Sequence, residues 1–147
     1  MKFVVIIALF FVYANAIDPK IVQEFVEQVT KFGEKCMGET KATTDDIAQL
    51  IAHQAPSTHE GKCMISCVYK AFGIQNEDGT INQEEGLKLA SKIKESDPEV
   101  YEKMETISNK CQDIPVDEDH CITALNLASC YIKEAKAIGL SAEMFGM

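Results

Sequence analysis

Two cysteines one helical turn apart constrain the fold of this chain more than any other feature. Cys63 and Cys67 lie in the segment 61–72, whose apolar residues recur at helical spacing, so both project from one face. Because their Cβ vectors run nearly parallel, a bond between them is awkward, and each is expected to bond a different element. Ser57, with Glu60 three residues later, is predicted to cap this helix.

The N-terminal residues 1–16 are predicted to be a secretory signal peptide. Lys2 precedes the apolar run 3–13, and the small-residue site 14–16 follows it. The run is shorter than the roughly 20 apolar residues that span a bilayer, so a membrane anchor is the less favoured alternative. Residues 17–147 then form one domain that is large enough for a hydrophobic core.

The six cysteines of the exported part predict three disulfides, because an even count in an exported chain is typical of a disulfide framework. Six cysteines allow 15 pairings. A bond between Cys121 and Cys130 is excluded, since nine residues of one predicted helix separate them by about 13 Å. The cysteines are Cys36, Cys63, Cys67, Cys111, Cys121 and Cys130.

The rest of the chain is predicted to be all-α, because strand-like alternation is nearly absent and apolar stripes of helical period recur. Capping residues, or a proline at the first helical position, mark five further helix starts. The first helix is expected to end near Cys36, the second at Pro56 and the last at Gly139. The five starts are Asp18-Pro19, Thr43 with Asp46, Asn82, Asp97-Pro98 and the acidic run 117–119.

The charge of the chain argues against nucleic acid and anionic membrane surfaces as partners. It carries 14 basic and 23 acidic residues, for a formal net charge of −9, and every basic residue is a lysine. Binding to phosphates or anionic lipids needs clustered cations, which such a chain lacks. The acidity is interpreted as a contribution to solubility.

The cysteine spacing resembles that of the insect odorant-binding proteins, the six-cysteine pheromone- and general-odorant-binding (PBP/GOBP) type. The intervals are 26, 3, 43, 9 and 8 residues, and the intervals of three and eight are the most diagnostic. The resemblance covers essentially the whole of 17–147. The interval of 43 is slightly long for the family.

This resemblance implies a six-helix, disulfide-stapled bundle around an internal apolar cavity. It implies the pairs Cys36–Cys67, Cys63–Cys121 and Cys111–Cys130. It further implies a secreted monomer or weak homodimer without enzymatic activity or cofactor. Such a protein would carry small volatile hydrophobic ligands, odorants or pheromones, through sensory lymph, with an odorant receptor as a candidate partner.

The residues predicted to line the cavity come from the apolar helix stripes and the apolar C-terminal segment 140–147. That segment is interpreted either as a flap over the cavity or as a tail docked on the surface. The stripes alone do not separate a cavity wall from a packed core. The predicted lining residues are Phe25, Val29, Met64, Val68, Phe72, Leu87, Met104, Leu125, Tyr131, Met144 and Phe145. Tyr69, Tyr101 and Tyr131 could each offer a hydroxyl to the polar end of a ligand.

No metal or catalytic site is predicted. The segment 74–85 resembles a calcium loop but has Ile74 where a carboxylate is required. No hydrolase motif occurs, and bridged cysteines leave no thiolate nucleophile. The histidines, His53, His59 and His120, are interpreted as solvated, with a pH switch as the alternative. A secreted helical protein that acts by protein–protein contact is the alternative function.

Overall fold

The computed structural model describes residues 17–140, which form six helices and, within that range, no strand beyond a single bridge between Gln75 and Ile81. The all-α prediction is confirmed. None of the helices in this part of the chain is long and apolar enough to cross a membrane. The helices are α1 (Pro19–Thr40), α2 (Thr44–Ile51), α3 (His59–Ala71), α4 (Gln83–Ser96), α5 (Pro98–Lys110) and α6 (His120–Ala137).

Side-chain caps fix the starts of most helices, as the sequence predicts. In each case a side-chain oxygen accepts a hydrogen bond from a backbone N–H of the first turn, which would otherwise lack a partner. The pairs are Asp18 with Lys20 at 2.9 Å, Asn82 with Glu85 at 3.2 Å, Asp97 with Val100 at 3.0 Å, and Asp119 with Cys121 at 2.9 Å.

The start of α3 differs from the prediction by one residue. Thr58, not Ser57, is the cap, and its hydroxyl accepts a hydrogen bond from the Gly61 backbone N–H at 3.0 Å. Ser57 instead donates its backbone N–H to the Gln49 side chain at 2.7 Å. The Ser57 prediction is wrong because a contact with α2 fixes the position of Ser57 outside the helix.

Two helix ends also differ from the prediction. The first helix continues beyond Cys36 to Thr40. The second ends at Ile51 rather than at Pro56, because the chain turns at His53, whose φ of 55° lies in the left-handed region. Gln54 then donates its backbone N–H to the Gln49 carbonyl at 2.8 Å, which closes the end of α2.

A buried carboxylate, Asp46, links the starts of α2 and α3. Its Oδ2 accepts hydrogen bonds from the Thr43 backbone N–H at 2.9 Å and from the Thr43 hydroxyl at 2.8 Å. Its Oδ1 accepts from the Thr58 hydroxyl at 2.8 Å. Asp46 has no exposed surface, so these bonds replace water at the carboxylate. The capping box predicted for Thr43 is confirmed.

We expect Asp46 to make stability dependent on acid pH. The Thr43 backbone N–H, followed by the threonine hydroxyls, holds the pKa of the Asp46 carboxyl below its ordinary value. The stabilisation is therefore complete above the unfolded-state pKa of about 3.9, and it is lost as the pH falls through the lower native value. In urea unfolding between about pH 5 and pH 2, Asp46→Asn should show a shallower loss of stability than the unchanged protein. Asp45→Asn, which removes the neighbouring exposed carboxylate, is the control; an equal slope change there would contradict the assignment.

Three disulfides join the helices around α3 and α6. Cys36–Cys67 connects α1 to α3, Cys63–Cys121 connects α3 to the first turn of α6, and Cys111–Cys130 connects the end of α5 to α6. Their Cα–Cα distances are 5.7, 4.4 and 5.9 Å. This is the pairing that the resemblance implies, and it leaves no free cysteine. Helix α3 thus bonds two different neighbours, as expected from the spacing of Cys63 and Cys67.

The buried apolar residues form two clusters. The larger one lies among α4, α5 and α6 and includes Val100, Ile107 and Leu127, each at most 3% exposed. The smaller one lies between α1 and α3 and includes Cys36 and Met64. The larger cluster surrounds the cavity described next.

Candidate ligand-binding cavity

An apolar cavity of about 380 Å³ lies between the first half of α1 and helices α4, α5 and α6. This volume falls in the range of pockets that hold small molecules. Each helix contributes residues one turn apart, so that one face of each helix lines the cavity. The lining residues are Ile17, Ile21, Val22, Phe25, Val26, Tyr69, Ile74, Gly86, Leu87, Leu89, Ala90, Ile93, Met104, Ile107, Ser108, Tyr131, Ile132, Ala135 and Leu140.

Four of the residues predicted to line a cavity lie together in this wall: Phe25, Leu87, Met104 and Tyr131. They come from four different helices, α1, α4, α5 and α6. Contact of these four side chains with a ligand stays a prediction.

The other predicted lining residues lie elsewhere. Met64 and Val68 pack in the small cluster between α1 and α3. Phe72 packs against the rings of Phe25 and Phe32, at centroid distances of 5.9 and 4.9 Å. The remaining residues are Val29, which is 37% exposed, and Leu125, which lines a separate groove. Met144 and Phe145, with the rest of the segment 141–147, lie outside the described residues.

The central part of the α4 wall is absent from the predicted lining residues. Gly86, Leu89, Ala90 and Ile93 lie at helical spacing and face the cavity. Their spacing of three, four and seven residues is the signal that could have identified this face. Small residues such as Gly86 and Ala90 leave room for a ligand, whereas the prediction favoured large side chains.

The polar side chains in the cavity wall are those of Tyr69 on α3, Ser108 on α5 and Tyr131 on α6. The Tyr131 hydroxyl donates a hydrogen bond to the Ser108 hydroxyl oxygen at 3.2 Å. The Tyr69 hydroxyl makes no hydrogen bond within residues 17–140. Burial, and secondarily the nearby Tyr131, raises the pKa of Tyr69, so this phenol stays protonated at neutral pH. It can donate to, or accept from, an oxygen atom of a ligand.

The outer rim of the cavity is formed by α1. Phe25 and Val26 line the cavity and yet are 42% and 39% exposed. Large apolar side chains usually bury more of their surface than this in a folded domain. Their exposure marks the place where the cavity reaches solvent.

A buried glutamine holds the loop that precedes the α4 wall. Gln75 is 2% exposed; its side chain accepts a hydrogen bond from the Ser66 hydroxyl at 2.6 Å. It also donates to the carbonyls of Gly79 and His120, at 3.1 and 3.0 Å. These bonds join α3, the loop and the start of α6, so the entry of the chain into α4 is fixed.

Two of the three histidines, His59 and His120, have protein partners, although 60% of the His59 side chain is exposed. His59 Nε2 lies 2.7 Å from Asp119 Oδ2, and this bond is the largest cause of the lowered pKa of Asp119. The imidazole of His120 lies against Gly79, and its Nδ1 is 3.4 Å from the Lys70 amine. Neither imidazole lines the cavity.

Two groups of side chains in residues 17–140 have the composition of metal ligands: His59 with Cys63 and Cys121, and Glu39 with Cys36 and Cys67. In each group the two cysteines are bonded to each other. A disulfide provides no thiolate, so one ligand remains in each group. A single ligand is too few for a structural metal site.

Comparison with known proteins relates this architecture to one family. The model of the PBP/GOBP family matches residues 19–134, which span all six helices except the last turn of α6. The chain belongs to the PBP/GOBP family. This family is one of carriers for small hydrophobic ligands and not of enzymes.

Two relatives of the PBP/GOBP family come from Drosophila melanogaster. General odorant-binding protein 19d is 32% identical over 117 residues, which cover 80% of this chain and 78% of the relative. General odorant-binding protein 28a is 33% identical over 126 residues, with 86% of each chain covered. A solved structure of odorant-binding protein dmelOBP28a matches with a TM-score of 0.72 and 32% identity, over 82% of this chain and 99% of that one.

Proposed function

We propose that this protein is a secreted carrier that binds one small apolar molecule with a single oxygen function. The observation that carries the proposal is the apolar cavity of about 380 Å³, with the Tyr69 hydroxyl in its wall making no hydrogen bond to residues 17–140. Removal of apolar ligand surface from water contributes about 25 cal/mol per Å². One hydrogen bond to Tyr69 would orient the polar end of the ligand.

The route of transport forms part of the same proposal. Residues 1–16 have the features of a signal peptide, and the three disulfides suit an oxidising compartment. The two relatives are named as odorant-binding proteins. We therefore infer that the ligand is an odorant or pheromone that the protein carries through aqueous sensory lymph towards a receptor.

The exposed apolar face of α1 is the feature that most favours the alternative function, protein–protein contact. Phe25 and Val26 belong to this face, but both also line the cavity. The cavity rim therefore accounts for the exposure of these two residues, whereas Val29 on the same face is 37% exposed and does not line the cavity. This makes the carrier the better supported of the two functions.

Filling the cavity should abolish ligand binding. Ala90 is 4% exposed and lies in the cavity wall, so Ala90→Phe places a ring in the volume that the ligand would occupy. We expect the affinity for the fluorescent probe N-phenyl-1-naphthylamine to fall at least about ten-fold, a loss of about 1.4 kcal/mol. The chain has no tryptophan, which keeps the background fluorescence low.

The control is Ala48→Phe, the same change at an exposed position of α2. Displacement of the probe by decane and by decanol tests the polar contact, and decanol should displace it at the lower concentration. If folded Ala90→Phe protein retains full probe affinity, the cavity is not the binding site. If oxidised protein takes up no probe at all, the carrier proposal fails and protein–protein contact becomes the leading function.

A further inference from the structure

A groove of about 370 Å³, separate from the cavity, lies along the face of α6 next to the one that lines the cavity. Its floor is apolar and comes from α2, α3 and α6, through Leu50, Ile65, Leu125 and Ala128. Ile132 is shared with the wall of the first cavity. The proposed carrier function uses none of the other groove residues.

The rim of this groove carries two cations. Lys133 and Lys136 lie one turn apart on α6 and line the groove. Neither side chain makes an ion pair or hydrogen bond within residues 17–140. The acid beside them on α6, Glu134, binds Lys110 of α5 at 2.9 Å. Two cations that make no salt bridge within residues 17–140 thus lie at a largely apolar groove, in a chain of net charge −9.

The opposite rim is the turn that ends α2. The left-handed backbone of His53 directs the chain through Gln54, Ala55 and Pro56, which line the groove. The last residue of α2, Ile51, is 75% exposed and follows directly on Leu50 of the floor. The groove therefore combines apolar side chains with a smaller number of polar ones. The polar lining residues are His53, Gln54, Ser129, Lys133 and Lys136.

We propose that this groove binds a fatty carboxylate, with its alkyl chain on the Leu50–Leu125 floor and its carboxylate between Lys133 and Lys136. A carboxylate forms charge-assisted hydrogen bonds with an ammonium group, and the alkyl chain gains from burial. An acidic peptide fits less well, because its many backbone polar groups would lie against Leu50, Ile65, Leu125 and Ala128, whose side chains offer them no partners.

Lys136, in the last turn of α6, also complements the negative end of the helix dipole, which is a role in stability. Comparison with a neutral ligand of the same chain length distinguishes this effect on stability from recognition of the carboxylate. Dodecanoate and dodecanol therefore serve as the probes. A loss of stability alone would weaken the binding of both, whereas loss of the anion site weakens only dodecanoate.

The experiment is a titration of methyl-labelled protein followed by NMR. Methyl groups of Leu50, Ile65 and Leu125 report on the groove alone, and those of Leu87 and Leu89 report on the cavity alone. The titration is repeated with the Ala90→Phe variant, whose cavity is filled. Binding at the groove is then detected independently of binding in the cavity. We expect saturable shifts of the groove methyls with dodecanoate in both backgrounds.

The charge requirement is tested with K133Q/K136Q, which should weaken dodecanoate binding at the groove at least about ten-fold and leave dodecanol binding unchanged. K31Q/K35Q removes the same charge from an exposed stretch of α1 and should change neither. The proposal is overturned if dodecanoate moves only cavity methyls, if the control variant weakens binding as much, or if dodecanol binds the groove equally well. Groove shifts that depend on protein concentration alone would instead identify a self-association surface and overturn it too.

Discussion

Removal of the Cys63–Cys121 disulfide by C63A/C121A is expected to lower the free energy of unfolding by about 4 kcal/mol. This bond closes the longest of the three disulfide loops, with a sequence separation of 58 residues. In the chain-entropy model, a loop of this length gives the unfolded state about 4 kcal/mol of additional freedom when it opens. The same change removes the covalent link between α3 and the first turn of α6. Urea unfolding of the oxidised proteins, followed by helical ellipticity, measures the effect.

The matched comparison is C111A/C130A, whose bond has a sequence separation of only 19 residues. The same model gives a loss of about 3 kcal/mol for this variant. Both variants replace two cysteines by alanines. The difference between their losses of stability therefore reflects the length of the loop and its position in the fold. A smaller loss for C63A/C121A than for C111A/C130A would show that the long loop is not what makes this bond important.

A single methyl group at Gly61 is expected to cost about 2 kcal/mol of stability, within the range for overpacking of a core. A Cβ at this position would lie 2.5 Å from Asp46 Oδ1 and 2.6 Å from the Pro56 Cβ. Asp46 cannot move freely, because its carboxylate is held by Thr43 and Thr58. Gly61→Ala therefore forces apart the starts of α2 and α3. Chemical denaturation gives the change in the free energy of unfolding.

Gly38→Ala is the control for this substitution. Gly38 also lies in a helix, and a Cβ there meets nothing within 4 Å. Alanine favours a helix over glycine by up to about 1 kcal/mol, so this variant should be as stable as the unchanged protein or more stable. If both variants change stability in the same direction, the close approach of Asp46 to Gly61 is not the cause.

The helices and the family were predictable because their signals are local or covalent. The caps at Thr43, Asn82 and Asp97 satisfy backbone N–H groups only a few residues away. The cysteine intervals are read directly from the sequence. Where a distant residue decides the conformation, the prediction is wrong, as at Ser57, which Gln49 of α2 holds outside α3.

The cavity wall was predictable only in part, because an apolar stripe does not reveal which empty volume it faces. Phe25 lines the cavity, whereas Val29, one turn later on the same stripe, does not. Tyr131 lines the cavity, whereas Leu125 of the same helix lines the groove. Crossing angles between helices decide these differences, and they arise from packing of the whole domain.

The position of Ile132 makes the two volumes interdependent. Ile132 is part of both walls, so a substitution at this position changes both volumes. If a ligand in one volume changes the affinity for a ligand in the other, thermodynamic linkage requires the reverse effect as well. The two effects are equal in free energy. One residue of α6 thus gives this small fold a direct path for thermodynamic coupling between two neighbouring compartments.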